Sequence, residues 1–205
     1  TQRASLNERL GATLRPSAKQ AGWEQAKVFW STFLQYSNYS AIDFHGTEIA
    51  LKQDLNKPLK LKDKFDMVLN LGTAEHVFNQ AQVFTSIHKH TKPGGLMVHG
   101  LPFTGYVDHG FYNFQPTFFW DLAKANAYQV LALIYSELKP LKLVQLQSRE
   151  AIIAMYKKQA LGENSLLYAV MKKPEINASF KPPMQGYYFD DDVSSLVSAG
   201  WSAMR

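Results

Sequence analysis

Cysteine is absent from the 205-residue chain. That excludes disulfides, thiolate metal sites and cysteine nucleophiles. No apolar run is long enough to span a bilayer, and the N-terminus does not read as a signal peptide, so no membrane is expected and a cytoplasmic location is the default. There is no internal repeat and no low-complexity tract. The glycine-rich fingerprints G-x-G-x-G and G-x-G-x-x-G are missing, and so is H-E-x-x-H. His88 and His90 stand two apart on one expected helix and point to different sides. No metal set is expected among the histidines. Strong charge of one sign is missing too: the formal net charge is +5 and the isoelectric point about 9.2. The lysines at Lys57, Lys60, Lys62 and Lys64 are interleaved with leucine and aspartate rather than aromatics, and no nucleic-acid motif accompanies them, so no nucleic-acid partner is expected.

What remains is an ordinary globular composition, 46% hydrophobic and 19% charged, with length for one core-forming domain. Ser17 to Tyr36 reads as a helix capped by Ser17, with Ala21, Ala26, Val28, Phe29, Phe33 and Leu34 on its apolar surface. "SAIDF" (Ser40 to Phe44) and the Ile49–Leu51 stretch read as short strands, and "FDMVLNLG" (from Phe65) as a longer one. Val77 to His90 reads as a helix, stopped by the turn residues Lys92-Pro93-Gly94-Gly95. "LMVHGLPF" (Leu96 to Phe103) is the next strand. A loop rich in glycine and aromatics follows, Thr104 to Asn113. Pro116 opens a helix in the favoured first-turn position. "QVLALIYSEL" and "SLLYAVMKK" read as late strands with a helical "REAIIAMYKKQAL" between them. Strands alternating with helices imply an α/β fold with a doubly wound, mostly parallel twisted sheet, and the late strands can pair antiparallel at its edge. The main domain is expected over residues 1–173. Residues 174–205, Pro-rich and then acidic at Asp190 to Asp192, read as a tail packing on the domain or on a partner.

"FDMVLNLGTAEHVFN" followed by "IHKHTKPGGLMVHGLPF", with "AIDFHGTEIALKQDLN" upstream and "DHGFYNFQPTFF" downstream, resembles the class I S-adenosylmethionine-dependent methyltransferases, in particular a bacterial subgroup with D-L-N and H-G-F-Y segments. The resemblance covers Ser40 to about Leu138. It implies a Rossmann-like methyltransferase fold, S-adenosylmethionine as cofactor, and methyl transfer to an O or N atom of a small-molecule substrate. The chain departs from the family at its first strand, which usually ends in a glycine-rich turn. Here "ASLNERLGATL" is polar and charged where a central parallel strand is continuously apolar. Residues within Ala4 to Thr13 are expected to lie along the sheet with Gly11 at the turn. A strand exchanged between copies would give a homodimer. The same departure supports a second reading, a non-catalytic methyltransferase-like binding or partner subunit.

Each candidate residue carries two readings. Asp43, closing "AIDF", either accepts ribose hydroxyls or stabilises the turn at His45-Gly46. Asp54 either accepts the adenine amino hydrogens, with the Leu55 backbone covering the ring edge, or makes an Asx turn. Asn70, Leu71 and Gly72 end a strand where ligands sit in such folds, and glycine lets a backbone approach a ligand. Gly72 can equally serve the turn alone. His76 next to Glu75 is a candidate base. Adjacent helical residues do not face each other, however, and Glu75 suits a helix first turn through the dipole alone. His109 sits in the loop after the Leu96–Phe103 strand as a candidate base or substrate anchor. Tyr106, Phe111, Tyr112 and Phe114 surround it as an aromatic wall, and Tyr112 joins His109 and His76 as a catalytic candidate.

Overall fold

The computed structural model describes residues 28–34, 36–46, 48, 50–188 and 194–203. The chain divides into two compact units, Thr1–Gln53 and Asp54–Arg205. The expected strand within Ala4 to Thr13, the helix over residues 17–27 and the acidic Asp190 to Asp192 all lie outside the described residues.

In the first unit, residues 28–33 are helical. The two short strands expected after them reduce to one parallel bridge, Ile42 to Leu51. It is closed by hydrogen bonds from Leu51 N to Ala41 O (2.8 Å) and from Asp43 N to Leu51 O (3.3 Å). His45-Gly46 breaks the first of these strands, as its turn chemistry suggests.

The second unit is built on a five-stranded sheet in the order β1-β2-β5-β3-β4. Its strands are β1 (Phe65–Leu71), β2 (Thr91–Thr104), β3 (Gln129–Leu138), β4 (Leu141–Gln145) and β5 (Ser165–Lys172). The helices are α1 (Gln80–His90), α2 (Pro116–Asn126), α3 (Arg149–Lys157) and α4 (Ser195–Ala203). β1 and β2 pair in parallel through the α1 crossover, as a parallel pair requires. β5 runs antiparallel between β2 and β3, so β1, β2 and β3 share one direction. The α/β class, the parallel start and the antiparallel late strand are those expected from the sequence. β4 was not: it forms an antiparallel hairpin with β3. Its alternating "LKLVQ" is short and leaves Leu141 and Leu143 exposed, which is how an edge strand reads. Lys92 to Gly95 does not form a separate turn after α1 but belongs to the start of β2.

The core lies on one face of this sheet. Met97, His99, Leu101 and Phe103 of β2 and Leu167, Ala169 and Met171 of β5 are buried, while Leu96, Val98, Leu166 and Val170 are half-buried. Phe84 of α1 and Phe119 of α2 both pack against His99, with ring centroids 5.5 and 5.8 Å away. Each large side chain withdrawn from water here contributes about 1.5–3 kcal/mol. α4 lies where the sequence suggested only a tail. It packs on α3, with Gly200 against the Ile153 side chain and Ser194 Oγ donating to Glu150 Oε1 at 2.6 Å.

Candidate active site

β1 ends at Leu71, and Gly72 turns the chain with φ +64°, a conformation that favours glycine. The turn is held by Asn70, which is buried. Its Oδ1 accepts the N–H of Ala74 at 3.1 Å and its Nδ2 bonds Nδ1 of His99 at 3.2 Å. The Gly72 N–H is taken by Gly100 O at 2.9 Å. After the turn, Ala74–His76 forms a single 3-10 turn and Val77 is extended. The helix expected from Val77 therefore begins only at Gln80, capped by Asn79, whose side chain accepts the N–H of Gln82 at 3.1 Å. Asn79, at φ −85° and ψ 79°, is itself outside the helical region, as a capping residue is.

This interruption gives Glu75 its setting. Its side chain is 2% exposed. Oε1 lies 3.9 Å from Nε2 of His76 and 3.9 Å from Nε2 of His109, and Oε2 is buried with no hydrogen-bond partner among the described residues. Ligand atoms of Glu75, His76 and His109 all fall within 4.8 Å of one another. The two imidazoles meet edge to face, 4.9 Å between centroids, and both are about half exposed. Glu75 and His76 are neighbours in sequence, and their long side chains bring Oε1 and Nε2 to 3.9 Å from one another.

His109 is carried by the loop after β2. Gly105, Tyr106 and Asp108 all have positive φ (66°, 50° and 57°). For Tyr106 and Asp108 this costs on the order of 1–3 kcal/mol each, strain that tends to gather at functional sites. The loop is pinned by Tyr106 N to Asn164 Oδ1 (2.8 Å) and Asn113 Nδ2 to Gly105 O (2.9 Å). It docks on the 3-10 turn through Gly110, where a Cβ would lie 3.0 Å from Glu75 O and 3.2 Å from His76 Nδ1. A side chain there would push Glu75 and His76 back by a few tenths of an ångström. The Tyr106 ring stands 5.5 Å from that of His109. Burial first, then the charges of Tyr168 and Glu75, push the Tyr106 hydroxyl above its ordinary value.

The other sequence candidates have these places. Tyr112 donates its hydroxyl to Phe78 O at 3.0 Å and so fastens the loop to the segment before α1. Asp54 makes the Asx turn: Oδ1 accepts from Asn56 N (2.9 Å) and Nδ2 (3.0 Å), and Oδ2 pairs with Lys57 at 3.3 Å. The Asn56 backbone hydrogen bond, then its side chain, hold the Asp54 carboxyl below its ordinary value. Asn56 in turn accepts Asn79 N at 2.9 Å, which ties Asp54 and the half-buried Leu55 to the start of α1. Leu71 is exposed at the strand end, and a Cβ on Gly72 would meet nothing nearer than Glu75 Oε1 at 3.7 Å. In the first unit, Asp43 Oδ1 accepts His45 N at 3.0 Å, while Oδ2 takes no hydrogen bond among the described residues.

Gly110 is the member of this site that sequence reasoning passed over. Glu75 was weighed as an acid tuning His76 and as a dipole-favoured first-turn residue, and the metal-spacing rules fail because His109 lies far along the chain. The signal available was a carboxylate beside a histidine, paired with a second histidine followed by glycine in an aromatic loop.

No curated protein matches the chain. Among solved structures, residues 961–1257 of StiE, an O-methyltransferase domain, align with a TM-score of 0.39 and 14% identity over 78% of this chain, which spans 58% of that domain's length. The family model described as a methyltransferase domain matches residues 26–99. That stretch holds Asp43, Asp54, Leu55, Asn70, Leu71, Gly72 and His76, and stops short of His109 and Tyr112. Over residues 26–99 the chain is similar to the methyltransferase domain family, as its sequence resemblance implies.

Proposed function

We propose that this chain transfers a methyl group from S-adenosylmethionine to an O or N atom of a small molecule. The observation that carries the reading is the Glu75, His76 and His109 group at the C-terminal end of β1, beside the open side of Gly72. Ligands in open α/β sheets lie beyond strand carboxyl ends.

When bound, the cofactor supplies a methyl group on a positively charged sulfur. For the cofactor side, the Asp54–Leu55 segment is fixed near α1, and Leu71 and Gly72 present open backbone; Asp43, in the first unit, is the sequence candidate for the ribose hydroxyls. The Asn70 side chain bonds within the chain at both polar ends and holds the turn that presents Leu71 and Gly72. On the acceptor side, His109, half exposed beside the Glu75 carboxylate, takes the proton of an acceptor that arrives protonated. His76 is less suited, because Gly110 packs over its Nδ1. Positioning supplies most of the rate in such a transfer, and the strained loop at Tyr106 and Asp108 serves that task.

The second reading, a non-catalytic methyltransferase-like subunit, is favoured by the missing glycine-rich fingerprint and by the engagement of Asp54 within its own turn. Calorimetric titration of the purified chain with S-adenosylmethionine and with S-adenosylhomocysteine separates the two. Saturable binding of both supports the enzyme; binding of neither overturns it.

A further inference from the structure

The Glu75 carboxylate raises a separate question. A carboxylate that is 2% exposed and leaves Oε2 without a hydrogen-bond partner among the described residues is costly, because buried charges need a paired cation or a metal. The two imidazoles do not supply ordinary hydrogen bonds to it. At 3.9 Å each nitrogen lies beyond hydrogen-bond distance of Oε1. Both nitrogens nevertheless face the same oxygen, and the ligand atoms of all three residues lie within 4.8 Å of one another.

We propose that Glu75, His76 and His109 form a binding site for a divalent transition metal of the zinc type. Zinc holds imidazole nitrogen and carboxylate oxygen at about 2.0–2.2 Å, so neighbouring ligands in a tetrahedral set stand about 3.4 Å apart. The two 3.9 Å separations exceed that by a few tenths of an ångström. Both rings are half exposed and can close the difference by turning about their side-chain bonds. Two imidazoles and one carboxylate suit zinc and its first-row neighbours, while magnesium and calcium prefer all-oxygen sets. The backbone is built for fixed ligands: Gly110 seats the His109 loop against Glu75, and the Glu75 carbonyl accepts the N–H groups of Phe111 and Tyr112.

Three protein ligands leave a fourth position for water or a substrate oxygen. An acceptor hydroxyl there gives up its proton more readily: the O–H bond breaks, the electron pair stays on the metal-held oxygen, and the proton passes to solvent. With the cation bound, both imidazoles are its ligands, so this replaces proton transfer to His109. This acceptor step rests on the methyl-transfer reading; the metal site itself does not.

The test uses the full chain after removal of metal by a chelator. Zinc is titrated calorimetrically, and cobalt(II) by its visible absorption. One equivalent of zinc is expected to bind. Glu75→Gln and His109→Ala are each expected to weaken binding by more than about tenfold, the low end of what even outer-shell partners contribute. His45→Ala leaves it unchanged. The His109 loop is exposed, so that variant keeps the fold, which circular dichroism verifies. Absence of one-equivalent binding, or binding undiminished in both variants, overturns the site. S-adenosylmethionine titrated into the same samples reports on the methyl-transfer reading alone, so the two failures are distinguishable.

Discussion

The backbone carbonyl of Glu75 accepts the N–H of Phe111 at 2.8 Å. With the Tyr112 N–H on the same oxygen at 3.3 Å, it joins the turn after β1 to the loop after β2 beside His109. The contact depends on Gly110, whose missing side chain leaves room for Glu75 O and His76 Nδ1.

Gly110→Ala is therefore expected to destabilise the protein by about 1–3 kcal/mol, the usual range for overpacking. The obstructing Glu75 O is backbone, which cannot rotate away. Urea unfolding at neutral pH measures the loss. A variant as stable as the parent would show that the loop reaches Glu75 with room to spare.

Asn70, expected on the cofactor side, braces the turn after β1. Removing it leaves the Ala74 N–H and the His99 nitrogen without their partner. Asn70→Ala is expected to cost about 1–3 kcal/mol per group left unsatisfied, and to raise the amide exchange rate at Ala74. A variant that keeps its stability but loses S-adenosylmethionine binding would put Asn70 on the cofactor side.

His99 makes stability depend on pH. Burial lowers it from an ordinary 6.5 to about 4, so between those values the unfolded chain binds the extra proton. The folded state carries the full contribution above pH 6.5 and loses it as pH falls, at about 1.4 kcal/mol per pH unit, toward a limit of about 3 kcal/mol near pH 4. His88 acts in the same direction: burial lowers it first, against a hydrogen bond from its Nε2 to Ala178 O at 2.7 Å. Unfolding free energies measured from pH 7 to pH 4.5 are expected to fall more steeply for the parent than for His99→Gln. Parallel curves would refute the assignment.

Arg149 and Asp121 join α3 to α2, with Arg149 Nη2 2.5 Å from Asp121 Oδ1 and Nη1 donating to Thr117 Oγ1. Both side chains are largely buried. Asp121→Ala leaves the guanidinium uncompensated and is expected to cost about 3–5 kcal/mol. The double variant with Arg149→Met should recover much of it. A double variant no better than the single one would mean that packing, not charge, dominates at this joint.

The strands at Phe65 and Leu96, the helices at Pro116 and Arg149, and the late strand at Ser165 were legible because their apolar periodicity is strong. β4 was not, since its leucines face solvent and its charged lysine breaks the run. The start of α1 was misplaced by three residues because Val77 and Phe78 look helical from composition, while the Asn79 cap decides the start. The site was half legible: the residues at the strand end and His109 could be named from position. That Glu75 is buried and shared between two histidines depends on the loop folding back through Gly110, a long-range contact that no local pattern encodes. The parallel bridge at Ile42 was overestimated as a strand for a related reason. A strand needs a ladder as well as apolar residues, and His45-Gly46 ends this one early.

The cofactor-side assignment divides cleanly between two aspartates. Asp54 already satisfies both oxygens within its own turn, whereas Asp43 Oδ2 takes no hydrogen bond among the described residues. If the ribose is held by Asp43, Asp43→Ala weakens S-adenosylmethionine binding by about 1.5–3 kcal/mol, the worth of a hydrogen bond to a charged group. Stability should change little, because its one described hydrogen bond, to His45 N, lies on an exposed turn. Asp54→Ala is expected to do the reverse in part. It removes the hydrogen bonds from Asn56, loosens the link to Asn79 and lowers stability, and any effect on affinity follows from the displaced Leu55 segment. Calorimetry on both variants, with urea unfolding alongside, separates these outcomes. Unchanged affinity in both would mean that the nucleoside, if it binds, is held by other residues.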